Sequence, residues 1–130
     1  MTTSQTTQFG KFDLTNRWAL ITGAAGLLGL EHSRALLEVG ASVVLLDSNS
    51  DKLDQAKATL EREFPKNRIR VSLSDITSET AMSNLLRELD SAGILLTILI
   101  NNAGINPKYD EVSKSGMKSR VENFELADWE

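Results

Sequence analysis

A glycine-rich segment constrains the fold more than any other feature of this 130-residue sequence. Residues 17–22 (RWALIT) form a short, mostly apolar run, which predicts a buried strand. The glycine-rich segment Gly23–Gly29 follows directly, and apolar residues then recur at helical spacing over residues 30–39. Gly40 is placed to end this helix as a C-terminal cap. A strand, a glycine-rich turn and a helix in this order predict the opening of a βαβ unit.

The rest of the chain repeats the same alternation. Apolar runs at residues 42–46, 68–73 and 95–100 predict three further strands, separated by segments with helical periodicity. Strands linked by helical crossovers require a parallel sheet with right-handed connections and helices on both faces. The sequence therefore predicts an α/β fold with a doubly wound parallel sheet of about four strands.

The two later helices each show one apolar face. Ser48 or Ser50 is expected to cap the second helix, which Pro65 stops, and Ser78 is expected to cap the third, which Gly93 ends. Position by position, the apolar faces are Leu53, Ala56, Leu60 and Phe64 in the second helix, and Met82, Leu85, Leu86 and Leu89 in the third.

The ends of the chain lack this periodicity. Residues 1–10 begin with a Thr-, Ser- and Gln-rich stretch and predict a flexible tail. Residues 105–125 are polar and predict a loop, and Leu126–Glu130 resembles the start of another helix. The predicted organisation is thus a tail at residues 1–10 and one unit over residues 11–130.

Composition excludes several classes of function. The net charge is −4 and basic residues form no cluster, which argues against nucleic-acid and anionic-membrane partners. Cysteine is absent, and one histidine, His32, cannot build a metal site alone. No apolar run reaches the roughly 18 residues of a membrane span. A cytoplasmic location with no bound metal is the expectation.

The glycine-rich segment has the composition of an anion-binding turn. A pyrophosphate needs backbone N–H groups and the positive end of a helix dipole close by. Gly23 and Gly26 permit that close approach, and Gly29 permits tight packing of the helix on the sheet. The alternative is a tight turn with incidental glycines. The flanking strand and helix favour a dinucleotide site of the Rossmann type.

Asp47 ends the second predicted strand, eighteen residues after Gly29. An acid about 20 residues after the glycines is expected to bind the hydroxyls of the adenosine ribose. A carboxylate there also repels a 2′-phosphate, and no Lys or Arg lies within Gly23–Gly29 or immediately after Asp47 to offset it. These features favour NAD over NADP. The alternative is an Asp that starts a turn before a helix.

Two further groups follow later strands. Asp75 ends the third strand at the carboxyl edge of the sheet, where an adenine is expected, although capping of the next helix would explain it equally well. Asn101-Asn102-Ala103-Gly104 ends the fourth strand. Small residues there permit close approach of a nucleotide, and the amides are able to tie strand ends together; alone, the motif indicates a turn more often than a site.

Thr22-Gly23, Asp47, Asp75 and Asn101–Gly104, in this order and spacing, resemble the short-chain dehydrogenase/reductase family over about residues 11–130. The resemblance implies a Rossmann fold, NAD as cofactor, an alcohol or ketone substrate, and a homo-oligomer. It also implies roles for individual residues. The pyrophosphate would be lined by Gly23, Gly26, Leu28 and Gly29; the ribose would be held by Asp47 and the adenine by Asp75 and Ile76; and Asn102, Ala103 and Gly104 would pass along the nucleotide.

Two features depart from the family pattern. The middle glycine, Gly26, stands one place earlier than in the commoner short form, with Leu27 in its place. This spacing resembles the longer branch, so a sugar-nucleotide epimerase or dehydratase is an alternative, whereas Asn101–Gly104 resembles the short form. The resemblance also implies that hydride transfer depends on a Ser, a Tyr-x-x-x-Lys motif and an Asn. The single tyrosine, Tyr109, comes too early and has Ser113 four residues later.

The resemblance therefore assigns no catalytic residue to this chain. Members of the family are longer, and the expectation is an amino-terminal part of the domain that carries the cofactor-binding half. On its own, the 130-residue chain is expected to be inactive. A non-catalytic nucleotide-binding fragment is the remaining alternative.

Overall fold

The computed structural model describes residues 10–104. The predictions for residues 1–9, for the loop at 105–125, for Tyr109 and for the helix that starts at Leu126 lie outside the described residues. Within 10–104, strands and helices alternate as expected. Their bounds, in chain order, are a 3-10 turn Gly10–Phe12, β1 Trp18–Thr22, α1 Leu27–Glu38, β2 Ser42–Asp47, α2 Ser50–Glu61, a 3-10 turn Lys66–Arg68, β3 Ile69–Leu73, α3 Glu79–Ser91 and β4 Leu96–Ile100.

The four strands form one parallel sheet in the order β3-β2-β1-β4. The chain moves from β1 outward to β2 and β3, and then crosses back to pair β4 with the other side of β1. Strand order thus reverses between β1 and β4. In open α/β sheets, ligands bind at the carboxyl ends of the strands beside such a reversal. The predicted parallel α/β sheet is confirmed, and its topology directs attention to the segments that follow β1 and β4.

Apolar side chains cover both faces of the sheet. In β2, Val43 and Leu45 join one core with residues of α1 and α2, whereas Val44 and Leu46 join a second core with residues of α3. Because successive side chains of a strand point to opposite faces, a strand covered on both sides is apolar throughout. All four of these side chains are buried, and each stabilises the fold by about 1.5–3 kcal/mol relative to an exposed position. Asp47, at the end of β2, is the first charged residue of the strand.

The helix faces follow the predicted pattern with one exception. Leu53, Ala56 and Leu60 of α2 are buried, as are Leu85 and Leu89 of α3, and Phe64 and Met82 pack at the margins of the two cores. The prediction for Leu86 is wrong, since 56% of this residue is exposed. Its neighbour Leu85 takes the position that faces the sheet, and the apolar face of α3 is narrower than the sequence indicates.

The helix starts differ in detail from the predictions. Helix α1 begins at Leu27, three residues before the start of its apolar periodicity. The prediction of Ser48 or Ser50 as the cap of α2 is wrong, because Asn49 is the N-cap and its side-chain oxygen accepts a hydrogen bond from the Lys52 N–H. Ser78 is the N-cap of α3, as predicted, and accepts from the Ala81 N–H.

The amino-terminal edge of the sheet is held by an arginine. The Arg68 guanidinium donates hydrogen bonds to the carbonyl oxygens of Leu37, at 2.6 Å, and Ala41, at 3.1 Å. These carbonyls lie at the end of α1 and just before β2, and the Leu37 oxygen also accepts a hydrogen bond from the Gly40 N–H. Partial burial lowers the pKa of Arg68 from its usual value. This edge is opposite the carboxyl ends of the strands.

Strand β4 lies at one edge of the sheet formed by residues 10–104. A strand as apolar as residues 95–100 is expected to be covered on both faces, yet Leu99 is 57% exposed on it. Ile98 and Ile100 pack against the core below α1 and α2. In the described part of the chain, no helix is long and apolar enough to cross a membrane.

Candidate functional site

The glycine-rich segment begins with a residue that only glycine suits. Gly23 has a φ of 61°, in the left-handed region that residues with a side chain rarely adopt. A Cβ on Gly23 would also lie 2.9 Å from the Ala103 Cα and 3.2 Å from the Asn102 Nδ2. The turn after β1 therefore touches the segment after β4, which makes the two motifs parts of one surface.

Gly29 and Gly26 play different parts in this segment. A Cβ on the buried Gly29 would lie 2.2 Å from the Gly23 carbonyl oxygen, so α1 packs against the turn at a distance that only glycine permits. Gly26 is exposed, and a Cβ there would meet only the Gly23 oxygen, at 3.4 Å. Packing within the protein thus explains Gly29. At Gly26 the missing side chain leaves open space beside the start of α1.

The start of α1 is left with free donors. Gly26 is its N-cap and supplies no side-chain hydrogen bond, in contrast to Asn49 and Ser78 at the starts of α2 and α3. The first N–H groups of a helix have no acceptor within it. Together with the helix dipole, they form a site suited to an anion. Leu27 and Leu28 are 81% and 64% exposed at the same place.

Asp47 joins this surface through its carboxylate. Its Oδ2 accepts a hydrogen bond from the Ala25 N–H, within the glycine-rich segment, at 3.0 Å. Its Oδ1 accepts from the Asn49 N–H, also at 3.0 Å. A carboxylate has about four acceptor positions, so two remain for a ligand's hydroxyl groups. Asp47 is half-buried and is therefore reachable from solvent.

The ends of β1 and β4 are tied by a second group of hydrogen bonds. The Thr22 Oγ1 accepts from the backbone N–H groups of Asn102 and Ala103, both at 3.0 Å. The Asn102 Nδ2 donates to the carbonyl oxygens of Thr22, at 3.2 Å, and Gly23, at 3.1 Å. The predicted ability of the amide motif to tie strand ends thus applies to Asn102. These bonds hold the ends of β1 and β4 together.

Asp75 lies after β3 and closes its own turn. Its Oδ1 accepts from the Thr77 N–H at 2.9 Å and from the Thr77 Oγ1 at 2.7 Å. These bonds stabilise the charged form and lower the pKa of Asp75. Helix capping does not explain Asp75, because Ser78 is the cap of α3. Ile76, beside Asp75, is 45% exposed and presents an apolar surface at this edge.

The structure brings most of the predicted site residues together. Gly23, Asn102 and Ala103 are in contact, Gly29 packs on Gly23, and Asp47 bonds to the same segment through Ala25. Gly26, Leu28 and Gly104 lie in the segments that follow β1 and β4, whereas Asp75 and Ile76 follow the edge strand β3.

Sequence reasoning did not assign roles to Thr22, Ala25 or Asn49. The role of Thr22 could have been predicted, because it is a hydroxyl residue at the end of an apolar strand. Ala25 and Asn49 act through backbone N–H groups, which no residue type reveals. Among residues 10–104, no group of three or more His, Asp or Glu side chains is placed to hold a metal ion.

Comparisons with known proteins agree with this geometry. The profile of the short chain dehydrogenase family matches residues 17–130. A galactitol 2-dehydrogenase of Rhizobium johnstonii is 36% identical over 95 residues, which cover 73% of this chain and 36% of that protein. A gluconate 5-dehydrogenase of Gluconobacter oxydans is 31% identical over 119 residues, covering 92% of this chain and 42% of that protein.

A solved structure of an NAD⁺-bound xylitol dehydrogenase superposes with a TM-score of 0.62 at 32% identity, covering 71% of this chain and 35% of that one. The chain thus spans well under half the length of the relatives it matches. The match of the family profile to nearly the whole sequence, on a sheet with this topology, shows that the chain belongs to the short-chain dehydrogenase family.

Proposed function

We propose that the whole protein is an NAD(H)-dependent oxidoreductase that interconverts an alcohol and a ketone, and that residues 11–130 are the amino-terminal part of its cofactor-binding domain. In this proposal residues 10–104 hold the adenosine and pyrophosphate end of the dinucleotide. The observation that carries it is the position of the Asp47 carboxylate, bonded to the glycine-rich segment beside the uncapped start of α1.

The pyrophosphate end is assigned to the start of α1. Gly26 leaves space there, and its lack of a capping side chain leaves the first N–H groups of the helix to a ligand. Gly23 and Gly29 act indirectly, since they allow the turn and the close packing that place those donors. Leu28 is the second residue of α1, so its backbone N–H would be one of the donors to the pyrophosphate.

The ribose is assigned to Asp47. Its two unused acceptor positions match the two hydroxyl groups of the adenosine ribose of NAD. A 2′-phosphate would instead bring a second negative charge to a half-buried carboxylate, with no Lys or Arg at positions 23–29 or 48–51 to offset it. This electrostatic difference supports NAD rather than NADP.

The adenine is assigned to the segment that follows β3. Ile76 offers an exposed apolar surface for a ring, and Asp75 fixes the turn that presents it. The side chain of Asn102 is bonded to the Thr22 and Gly23 carbonyls, so its contribution is to hold the segment in place. The backbone of Ala103 and Gly104 would then pass along the nucleotide, since Ala103 has a small side chain and Gly104 has none.

The nicotinamide of a bound NAD supplies hydride acceptance, which the amino-acid side chains cannot provide. None of the ten assigned residues transfers a proton, and the residue that does so is placed outside them. The reported relatives are dehydrogenases of galactitol, gluconate and xylitol, which supports alcohol oxidation rather than sugar-nucleotide epimerisation. A homo-oligomeric, cytoplasmic enzyme with a small-molecule substrate completes the proposal.

Calorimetric titration of the full-length protein with NADH and with NADPH tests the cofactor assignment. We expect NADH to bind at least about tenfold more tightly, because a like charge beside Asp47 is worth more than about 1.4 kcal/mol. In Asp47→Ala this preference should shrink. Asp54→Ala is the matched control, since it removes an exposed carboxylate from α2 and should keep the preference. Equal affinities for the two nucleotides in the wild type would contradict the assignment.

Oxidation of galactitol, xylitol and gluconate with NAD⁺, followed at the absorbance of NADH, tests the activity. Oxidation of at least one of these polyhydroxylated substrates, with matching formation of NADH, is the expected result. Tight NADH binding without turnover of any alcohol in a broad panel would favour a non-catalytic nucleotide-binding protein.

A further inference from the structure

Asp47 makes a contact that a purely ribose-binding carboxylate does not need. Its Oδ2 accepts from the Ala25 N–H at 3.0 Å across a sequence separation of 22 residues. The Oδ1 is fixed in turn by the Asn49 N–H. The carboxylate is therefore fixed by the N-cap residue of α2 through one oxygen, and it holds the glycine-rich segment through the other.

Two backbone hydrogen bonds flank Ala25 in the glycine-rich segment. The Ala24 N–H donates to the Leu46 carbonyl oxygen at 3.0 Å, and the Gly26 N–H donates back to Gly23 at 3.1 Å. Between these two bonds, the Ala25 N–H has Asp47 as its acceptor. Three glycines within seven residues give the segment a wide choice of backbone conformations. A charge-assisted bond in its middle selects one of them.

We propose that Asp47 is a positioning residue for the pyrophosphate-binding segment, in addition to its part at the ribose. Through Ala25, its carboxylate holds residues 23–29 in the conformation that presents the first N–H groups of α1 to an anion. Pre-organisation of this kind raises affinity because the ligand does not have to order the segment itself. The inference rests on the proposed nucleotide site for its consequence, and on the hydrogen bond alone for its structural part.

The proposal separates two effects of one substitution. If Asp47 touched only the ribose hydroxyls, its replacement would leave the free protein unchanged and would not affect a ligand without those hydroxyls. If Asp47 also positions the segment, both properties change. Asp47→Asn keeps one oxygen acceptor and removes the charge, whereas Asp47→Ala removes the acceptor as well. The effect is therefore expected to grow from wild type to Asn to Ala.

The first measurement is hydrogen–deuterium exchange of the nucleotide-free, full-length protein, read on a peptide that covers residues 23–30. We expect exchange in this peptide to accelerate by about threefold in Asp47→Asn and about tenfold in Asp47→Ala, as the bond weakens and is then lost. Peptides from β1 and α2 report whether each variant remains folded. If Asp47→Ala exchanges rapidly in all peptides and is therefore unfolded, the exchange of Asp47→Asn in residues 23–30 tests the proposal. Asp54→Asn, with the same charge change on the exposed face of α2, should leave the peptide at wild-type rates.

The second measurement is the affinity for 2′,3′-dideoxyadenosine diphosphate, which carries the pyrophosphate but lacks both ribose hydroxyls. We expect Asp47→Ala to bind it about five- to tenfold more weakly than the wild type does. Unchanged exchange in both variants, or unchanged affinity for this probe, would overturn the positioning role. If the wild type binds neither NADH nor the probe, the proposed function fails, and the exchange rates alone decide whether Asp47 holds the segment.

Discussion

The close packing of α1 on the glycine-rich turn leads to a quantitative prediction for Gly29→Ala. The added Cβ would lie 2.2 Å from the Gly23 carbonyl oxygen and 2.7 Å from the Ala24 Cα. Non-bonded heavy atoms settle at about 3.5 Å, so the helix and the turn must separate by roughly 1 Å. Both contacted atoms belong to the backbone, and neither can rotate away. Separation would also loosen Leu37, which is 1% exposed in the core beneath α1.

Overpacking costs about 1–3 kcal/mol when side chains are able to adjust. We expect Gly29→Ala to exceed that range slightly and to lower the free energy of unfolding by about 3 kcal/mol or more. With a urea dependence of about 2 kcal/mol per molar, the unfolding midpoint should fall by roughly 1.5 M. Equilibrium unfolding of the full-length protein, followed by circular dichroism, provides the measurement.

Gly26→Ala is the matched control, because a Cβ there meets only the Gly23 oxygen, at 3.4 Å, and the backbone is extended with a φ of −78°. Its free energy of unfolding should stay within about 1 kcal/mol of wild type, while its affinity for NADH falls. If Gly29→Ala destabilises the protein by less than about 1 kcal/mol, or no more than Gly26→Ala does, the close approach of α1 to the turn is not what fixes this glycine.

Three further substitutions test other contacts. Arg68→Met should cost about 1–3 kcal/mol in urea unfolding, because carbonyls at the end of α1 lose a charged donor, and Arg68→Lys should restore less than half of that loss. Asn102→Asp should lower the melting temperature more than Asn102→Ala, since a carboxylate would face the Thr22 and Gly23 carbonyl oxygens; the reverse order would contradict the assigned bonds. Hydrogen bonds from the next turn lower the pKa of Asp75 in the folded state, so its stabilisation is present above the unfolded pKa and is lost as pH falls through the folded one. Asp75→Asn should therefore reduce the loss of stability between about pH 5 and pH 2, measured by urea unfolding at each pH.

The sheet was predictable from the sequence because its central strands, β1 and β2, are covered on both faces. A run such as residues 42–46 has no polar residue after its first position, and its length suits a strand rather than a helix. The start of α2 was less predictable. Ser48, Asn49 and Ser50 are all good capping residues, and only the path of the chain after Asp47 decides that Asn49 meets the N–H three residues later.

The candidate site was predictable where it depends on residue type and not where it depends on backbone groups. The glycines and Asp47 are recognisable in the sequence from their residue types and spacing. The bond from the Ala25 N–H does not, because every residue except proline has that donor. Leu86 shows the same limit for packing. Helical periodicity places it beside the buried face of α3, but Leu85 takes the position that faces the sheet and Leu86 is exposed.

The bonds between Thr22 and Asn102 also set an order of assembly during synthesis. Asp47 follows Ala25 by 22 residues, so the pyrophosphate side of the surface is complete in sequence once β2 has emerged. Asn102 follows Thr22 by 80 residues, with α1, β2, α2, β3, α3 and β4 between them. Closing that longer loop is entropically more expensive, and contacts of high sequence separation form slowly. The edge of β1 that pairs with β4 therefore stays unpaired until nearly the whole described chain has left the ribosome. Of the described strands, β4 joins the sheet last. A nucleotide that binds only after the ends of β1 and β4 are bonded together would hold β4 in place.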